Sequence, residues 1–255
     1  MEGEMDGIKG ILLDIAGVLY EGDRAVVGAV DALRELSAGY PLRLLTNTTR
    51  QKSDSILSRM KDMGFEVEKE SVFTALDATA RLLEEEGAKG YFLLYEPVAD
   101  MFEPYRGDRP DYVVVGDAYT DFTYEKLNEA FRHLVDGARL LAIAKNRYFK
   151  DDDGRLSLDA GGFVALLEFA SAKEAQTVGK PSERFFRLAA ASMKLEPEEV
   201  LMVGDDIESD IEGAQRAGMK ACLVKTGKFR PADLNGSISP DYIVESIADL
   251  PALLS

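Results

Sequence analysis

Apolar residues along this chain follow two rhythms. Short apolar-rich runs at Ile11 to Leu13, Pro41 to Leu45 and Val200 to Val203 have the length and composition of strands buried on both faces. Between the first two runs, Ala29, Leu33 and Leu36 recur among charged residues with the period of an amphipathic helix, which Gly39 stops. A second helical stretch runs from about Lys52 to Met63 and closes on Gly64 at the position where a left-handed residue ends a helix. Strand, helix, strand, helix at this spacing predicts a parallel α/β sheet with right-handed crossovers.

The texture changes between about Ala75 and Gln176. Thr79 to Glu86 and Tyr124 to Val135 read as helices, the second with Leu127, Phe131 and Leu134 on one face. Tyr91 to Tyr95, Tyr112 to Gly116 and Arg139 to Ala144 read as strands, Asp151 to Gly154 as a turn, and Gly161-Gly162 precedes a helix reaching Ala170. These elements suffice for a domain of their own, residues 76–176, inserted into a first domain made of residues 1–75 and 177–255. The first texture then resumes. Val178-Gly179-Lys180-Pro181 leads into a helix from Ser182 to Met193, and the strand Val200 to Val203 ends in Gly204-Asp205-Asp206. A helix to Ala217 stops at Gly218, and Lys220 to Val224 and Tyr242 to Val244 are further strands.

Composition narrows the partners. A chain of 255 residues that is 46% hydrophobic can build a proper core, and its net charge of −16 repels a phosphate backbone, which excludes nucleic acid. Any phosphate-binding site must then draw positive charge from a few lysines, a metal and backbone N–H groups. The single cysteine, Cys222, rules out an internal disulfide and a multi-thiolate metal site. No stretch approaches a membrane span, and Met1 to Lys9 lacks the apolar core of a signal peptide. The expectation is a soluble, cytoplasmic protein with no membrane partner; a homodimer is compatible with the sequence.

The chemistry sits at the strand ends. Three strands finish in polar clusters, Asp14, then Thr46-Asn47, then Asp205-Asp206 with Asp210 a helical turn later. In parallel α/β sheets ligands bind beyond the carboxyl ends of the strands, so these groups can converge. Several carboxylates brought close raise one another's pKa unless a cation sits among them, and oxygen-only ligands favour Mg²⁺ over zinc. Lys180, at a glycine turn opening a helix, can place an ammonium on an anion. A carboxylate nucleophile, Mg²⁺, a lysine, and hydroxyl and amide donors make up a site for phosphoryl transfer. The plainer alternative is turn capping for Asp14 and helix N-terminal capping for Asp205, Asp206 and Asp210.

Four stretches in this order, Leu13-Asp14-Ile15-Ala16-Gly17, Leu45-Thr46-Asn47, Gly179-Lys180-Pro181 and Gly204-Asp205-Asp206 with Asp210, resemble the motifs of the haloacid dehalogenase superfamily of aspartyl-phosphate phosphatases. The segment inserted between the second and third motifs is similar to that superfamily's class with a C2-type cap (class IIA). Within it the resemblance extends to the phospholysine phosphohistidine inorganic pyrophosphate phosphatases. It lies in Asp14 to Tyr20, Arg147-Tyr148-Phe149-Lys150, Val178 to Ser182 and Thr226-Gly227-Lys228-Phe229-Arg230-Pro231. The resemblance implies a Rossmann-like core with an inserted α/β cap. It implies that Asp14 attacks phosphorus to give an aspartyl phosphate, and that Mg²⁺ is held by Asp14, the backbone carbonyl of Ala16 and Asp205. It further implies that Lys180 neutralises the nucleophile and phosphate charges, that Thr46 and Asn47 bind phosphate oxygens, and that Asp210 steadies Lys180 or the metal's water shell. The implied substrate is a small phosphorylated molecule or a phospho-amino-acid side chain.

One position departs from that pattern. The superfamily's phosphatases usually carry a second aspartate two residues after the nucleophile, as general acid and base, and here that residue is Ala16. Losing a positioned acid costs roughly 10²–10⁴ in rate. Substrates whose leaving groups need little protonation are therefore expected: phosphoramidates, pyrophosphate, acyl and aryl phosphates. The rival reading is a phosphate-ligand binder or interaction protein that kept the site and lost turnover with Ala16. Gly227-Lys228 looks like a phosphate loop, but Cys222 and Phe229 break that pattern, and Lys228 stands where a cysteine phosphatase needs arginine. Cys222 reads as strand core, His133 as a surface side chain, and Asp151 to Asp153 as a solvated hairpin turn. Asp159 to Gly162 is expected on a loop facing the substrate.

Overall fold

The computed structural model describes residues 7–150, without the Lys150 side chain, and residues 155–254. The turn expected at Asp151 to Gly154 lies outside them. The chain divides into two compact units, one made of residues 1–46, 53–73 and 180–255, the other of residues 47–52 and 74–179.

In chain order the first unit contributes β1 (Gly10–Asp14), the short hairpin β2 (Tyr20–Glu21) and β3 (Arg24–Ala25), α1 (Ala29–Gly39), β4 (Leu42–Thr46), α2 (Ser53–Asp62) and β5 (Val72–Thr74). The second unit follows with α3 (Ala75–Glu86), β6 (Gly90–Leu93), α4 (Glu96–Ala99), β7 (Tyr112–Val115), α5 (Tyr124–Val135), β8 (Arg139–Ala142), β9 (Tyr148–Lys150), β10 (Leu156–Leu158), α6 (Ala160–Ser171) and β11 (Gln176–Thr177). The first unit resumes with α7 (Glu183–Ser192), β12 (Val200–Gly204), α8 (Gly213–Arg216), β13 (Lys220–Val224), β14 (Tyr242–Val244) and α9 (Leu250–Leu253).

The first unit is a six-stranded sheet in the order β14-β13-β12-β1-β4-β5. β1 pairs parallel with β12 and β4, and β13 parallel with β12 and β14. Every residue of β1 is buried, because it is central in the sheet and covered on both faces. α1 buries Ala29, Ala32, Leu33 and Leu36, while α7 buries Phe185, Phe186, Ala189 and Ala190. The register aligns Leu13 with Val203 and Asp14 with Leu45, so Asp14, Thr46 and Asp205 all leave the sheet at one edge.

The second unit is also α/β. Its sheet runs β11-β8-β7-β6 with parallel pairing throughout, and Leu93, Val113, Val115, Leu140, Val164 and Leu167 form its core. β9 and β10 make a separate antiparallel hairpin. Residues 47–52 belong here because Arg50 Nε pairs with Asp117 Oδ2 at 2.9 Å, and Thr49 Oγ1 accepts the Asp117 N–H at 3.1 Å. The Arg50 guanidinium also lies 4.5 Å from the centre of the Tyr119 ring.

Two helices differ from the sequence reading in where they begin. α3 starts four residues before Thr79, since Thr74 and Asp77 form a reciprocal capping box at its N-terminus. Gly161 and Gly162 lie inside the first turn of α6 and not ahead of it, because Asp159 caps the helix. A side chain at Gly161 would run into the backbone carbonyls of Lys145 and Asn146. No helix among the described residues is long and apolar enough to cross a membrane.

Candidate active site

β1 delivers Asp14, and β12 runs through Gly204 into Asp205. A single π-helical turn, Ile207–Glu212, then brings Asp210 back, its Oδ2 accepting the Asp206 N–H at 3.2 Å. Gly204 must be a glycine for this return, since a Cβ there would sit 2.5 Å from the Asp210 Cγ. One carboxylate oxygen from each of Asp14, Asp205 and Asp210 lies within 4.8 Å of the others, and all three residues are buried. Lys180, just before α7, points its ammonium between two of them, 2.6 Å from Asp14 Oδ1 and 2.7 Å from Asp210 Oδ1.

Three buried acids against one buried lysine leave a local excess of negative charge. Burial, followed by the charges of Asp14 and Asp210, pushes the Asp205 carboxyl up to about 7. Burial also lifts Asp210 to about 6, with the Lys180 ammonium opposing the rise and Asp14 reinforcing it. For Lys180 burial works against the charge, but Asp14 and Asp210 outweigh it and hold the ammonium above the ordinary lysine range. Asp205 Oδ1 is buried with no hydrogen-bond partner among the described residues. Converging acids, an oxygen-only donor set and a buried oxygen without a donor fit a hard divalent cation. Asp14, Asp205 and Asp210 are the residues that would hold it.

Around this cluster the other expected residues separate. Asp206 does what the plainer reading assigns it: its Oδ1 accepts the N–H groups of Glu208 and Ser209 as a helix cap. Thr46 ends β4 at the same sheet edge as Asp14, in the first unit. Asn47 is grouped with the second unit, where a Cβ on Gly179 would sit 2.5 Å from its Oδ1. Ala16 is exposed and bridges to Tyr20 in the turn after β1, where Gly17 adopts φ 93° and donates its N–H to the Tyr20 carbonyl at 2.8 Å. A Cβ on Gly17 would collide with Asp205 Oδ2.

The loop after β13, which carries part of the family resemblance in sequence, was given no place in the site by sequence reasoning. Lys228 N–H donates to Asp205 Oδ2 at 2.7 Å and its ammonium reaches Asp206 Oδ2 at 3.1 Å. The signal was the Gly227-Lys228 pair, which fails as a phosphate loop yet still follows a strand of the same parallel sheet. Cys222 is buried core, its thiol pushed up to about 12 by burial. His133 packs on Tyr91 with ring centres 5.0 Å apart, in the second unit.

The profile of the haloacid dehalogenase-like hydrolases matches residues 11–105, and a HAD-hydrolase-like profile matches residues 177–250. Haloacid dehalogenase-like hydrolase domain-containing protein 2 from Bos taurus is 42% identical over 89% of this chain and 87% of its own length. Phospholysine phosphohistidine inorganic pyrophosphate phosphatase from Danio rerio is 37% identical over 96% of this chain and 93% of its own. Among solved structures, 4-nitrophenylphosphatase from Thermotoga maritima superposes with a TM-score of 0.90 at 25% identity over 98% of both chains. NagD from E. coli K-12 gives 0.87 at 28% identity, covering 95% of this chain and 98% of its own.

Proposed function

The chain belongs to the haloacid dehalogenase-like hydrolases, and on that premise we propose that it is a Mg²⁺-dependent phosphohydrolase. Asp14 is its nucleophile, and its substrates are phosphoramidates, pyrophosphate and other phosphates with good leaving groups. The observation that carries the reading is the buried Lys180 ammonium within 2.7 Å of both Asp14 and Asp210, beside an Asp205 oxygen that lacks a donor.

An Asp14 carboxylate oxygen attacks phosphorus, and the bond to the leaving group breaks with its electron pair departing on that group. Water then attacks the phosphorus of the aspartyl phosphate, releasing inorganic phosphate and regenerating Asp14. Lys180 neutralises charge on Asp14 and on the phosphoryl oxygens throughout. Thr46 and Asn47 supply donors to those oxygens, and Asp210 holds Lys180 in place. Asp14, Asp205, Asp210 and the Ala16 carbonyl are the groups that would hold Mg²⁺, whose chemistry when bound is to polarise the phosphoryl group and offset the acids' repulsion. The second unit corresponds in sequence order to the family's C2-type cap.

Substrate class rests on Ala16. No carboxylic acid stands at this position to protonate a departing alkoxide, so leaving groups that are weaker bases are favoured. The name of the Danio rerio relative, with phospholysine, phosphohistidine and pyrophosphate in it, supports the same class. A phospho-amino-acid side chain or a small phosphorylated molecule is the substrate.

Ala16 also supports a second reading, a phosphate-ligand binder without turnover. Para-nitrophenyl phosphate separates the two. An enzyme releases nitrophenolate in a Mg²⁺-dependent manner that Asp14→Asn abolishes; a binder shows only ligand-induced thermal stabilisation. A panel of pyrophosphate, phosphohistidine, phospholysine and sugar phosphates then tests the substrate class, and a preference for sugar phosphates would overturn it.

A further inference from the structure

Three consecutive residues after β13 each hydrogen-bond to a different part of the Asp14–Asp205 site. Thr226 Oγ1 donates to the Gly17 carbonyl, Gly227 N–H donates to Glu21 Oε1 at 2.6 Å, and Lys228 N–H donates to Asp205 Oδ2 at 2.7 Å. The fit leaves no room for side chains. A Cβ on either Gly17 or Gly227 would land on Asp205 Oδ2, and one on Gly227 would also lie 2.6 Å from the Gly17 Cα. Both glycines have positive φ, 93° and 65°. Asp205 Oδ2 is therefore wedged between two glycines and capped by an N–H, while Oδ1 of the same carboxylate is buried without a donor.

We infer that Thr226-Gly227-Lys228 is a positioning clasp. It fixes the rotamer of Asp205 and ties that carboxylate to the Gly17 turn that follows the nucleophile, so affinity for the divalent cation depends on a tripeptide whose side chains offer it no ligand. A carboxylate held at one oxygen presents the other in one direction. Freed from the clasp it can rotate, and Mg²⁺ binding must then reorder it. Removing partners that orient a metal ligand typically costs 10–100-fold in metal affinity. The inference rests on the Mg²⁺ reading above.

The test is Mg²⁺ affinity by titration calorimetry on the full chain, with the melting temperature in EDTA as a separate readout of folding. Thr226→Val removes the donor to Gly17 while keeping shape, and Thr226→Ser restores it. Thr226→Val should bind Mg²⁺ about 10–100-fold more weakly with its melting temperature in EDTA close to the parent's, Thr226→Ser should recover the affinity, and Gly227→Ala should weaken it at least as much. Parent-like Mg²⁺ affinity in Thr226→Val overturns the clasp while leaving the metal site standing. A Thr226→Val protein that no longer folds in EDTA also overturns it, making the loop a stability element. A parent that binds no Mg²⁺ overturns the metal reading and the clasp together.

Discussion

Lys180 Nζ lies 2.6 Å from Asp14 Oδ1, although 166 residues separate the two in sequence. Both segments of the second unit, residues 47–52 and the 106-residue stretch 74–179, lie between them along the chain. Parallel pairing of β1 with its neighbours and the position of α7 close that gap, so the ion pair forms only when both halves of the first unit are assembled. A lysine buried this deeply stays charged because Asp14 and Asp210 flank it.

Asp14→Asn should abolish turnover and leave the fold intact. The change is nearly isosteric and removes the charge that attacks phosphorus. Covalent catalysis should account for several powers of ten, so kcat within about tenfold of the parent would contradict the aspartyl-phosphate route. Circular dichroism checks the fold.

Lys180→Met should lower stability by about 3–5 kcal/mol at pH 7.5 in EDTA, because Asp14 and Asp210 lose their buried counter-ion. Near pH 5 the loss should shrink, because Asp210, raised by burial, can then take up a proton. Urea unfolding at both pH values measures this. Equal losses at the two pH values would mean that lost packing, and not unpaired charge, dominates.

Much of this was legible in the sequence, and the reasons are local. β1 holds an apolar run that ends on Asp14, β12 one that passes through Gly204 into Asp205, and runs of that kind have few folds other than a central parallel strand. α5 was readable to the residue because its apolar face keeps strict helical spacing and Thr123 caps it. What escaped depends on approach between distant backbones. Nothing in the spacing of Gly17 and Gly227 says that both press on Asp205 Oδ2, and periodicity cannot show that residues 47–52 pack with the second unit through Arg50 and Asp117. Apolar periodicity alone starts α3 too late, because the Thr74-x-x-Asp77 cap precedes the periodic residues.

Stability without Mg²⁺ should fall as pH rises from about 5 to about 7.5. Asp205 and Asp210 have folded-state pKa values of about 7 and about 6, above the unfolded value of 3.8. Through this window the folded state holds more protons than the unfolded one, so the slope of stability with pH is negative. Acids held below their ordinary value, such as Asp206 and Asp241, change stability only at lower pH, and the raised Lys180 keeps its contribution across the window. Asp159, raised by burial, adds to the same sign, and Asp210 stays raised without Asp205, so the Asp205→Asn variant isolates the share of Asp205 alone. The melting temperature in EDTA should be lower at pH 7.5 than at pH 5 in the parent, with a smaller drop in Asp205→Asn that keeps the share of Asp210 and Asp159, and saturating Mg²⁺ should flatten the parent's fall. A parent melting temperature that rises with pH in EDTA would rule this out.

Restoring an acid at Ala16 tests the substrate argument. Ala16 is exposed beside the nucleophile in a turn already shaped by Gly17, so an aspartate there has room without repacking the core. If its absence is why good leaving groups are favoured, Ala16→Asp should speed alkyl phosphate monoesters far more than aryl esters or phosphoramidates. An alkoxide leaves slowly unless protonated in the transition state, whereas phenolates and imidazole nitrogens are weaker bases. The selective gain should reach one to several powers of ten, within the roughly 10²–10⁴ that general acids contribute. The new carboxylate also adds like charge to a cluster already rich in acids, which should tighten Mg²⁺ binding and raise the Asp205 carboxyl further in metal-free protein. Measuring kcat/KM for one aryl and one alkyl ester on both variants, at equal Mg²⁺ occupancy, removes that contribution. A common metal effect moves both esters alike, whereas leaving-group protonation moves only the alkyl one. An equal change on both would mean that protonation is not what Ala16 removed, and the assignment to substrates with good leaving groups would fall with it.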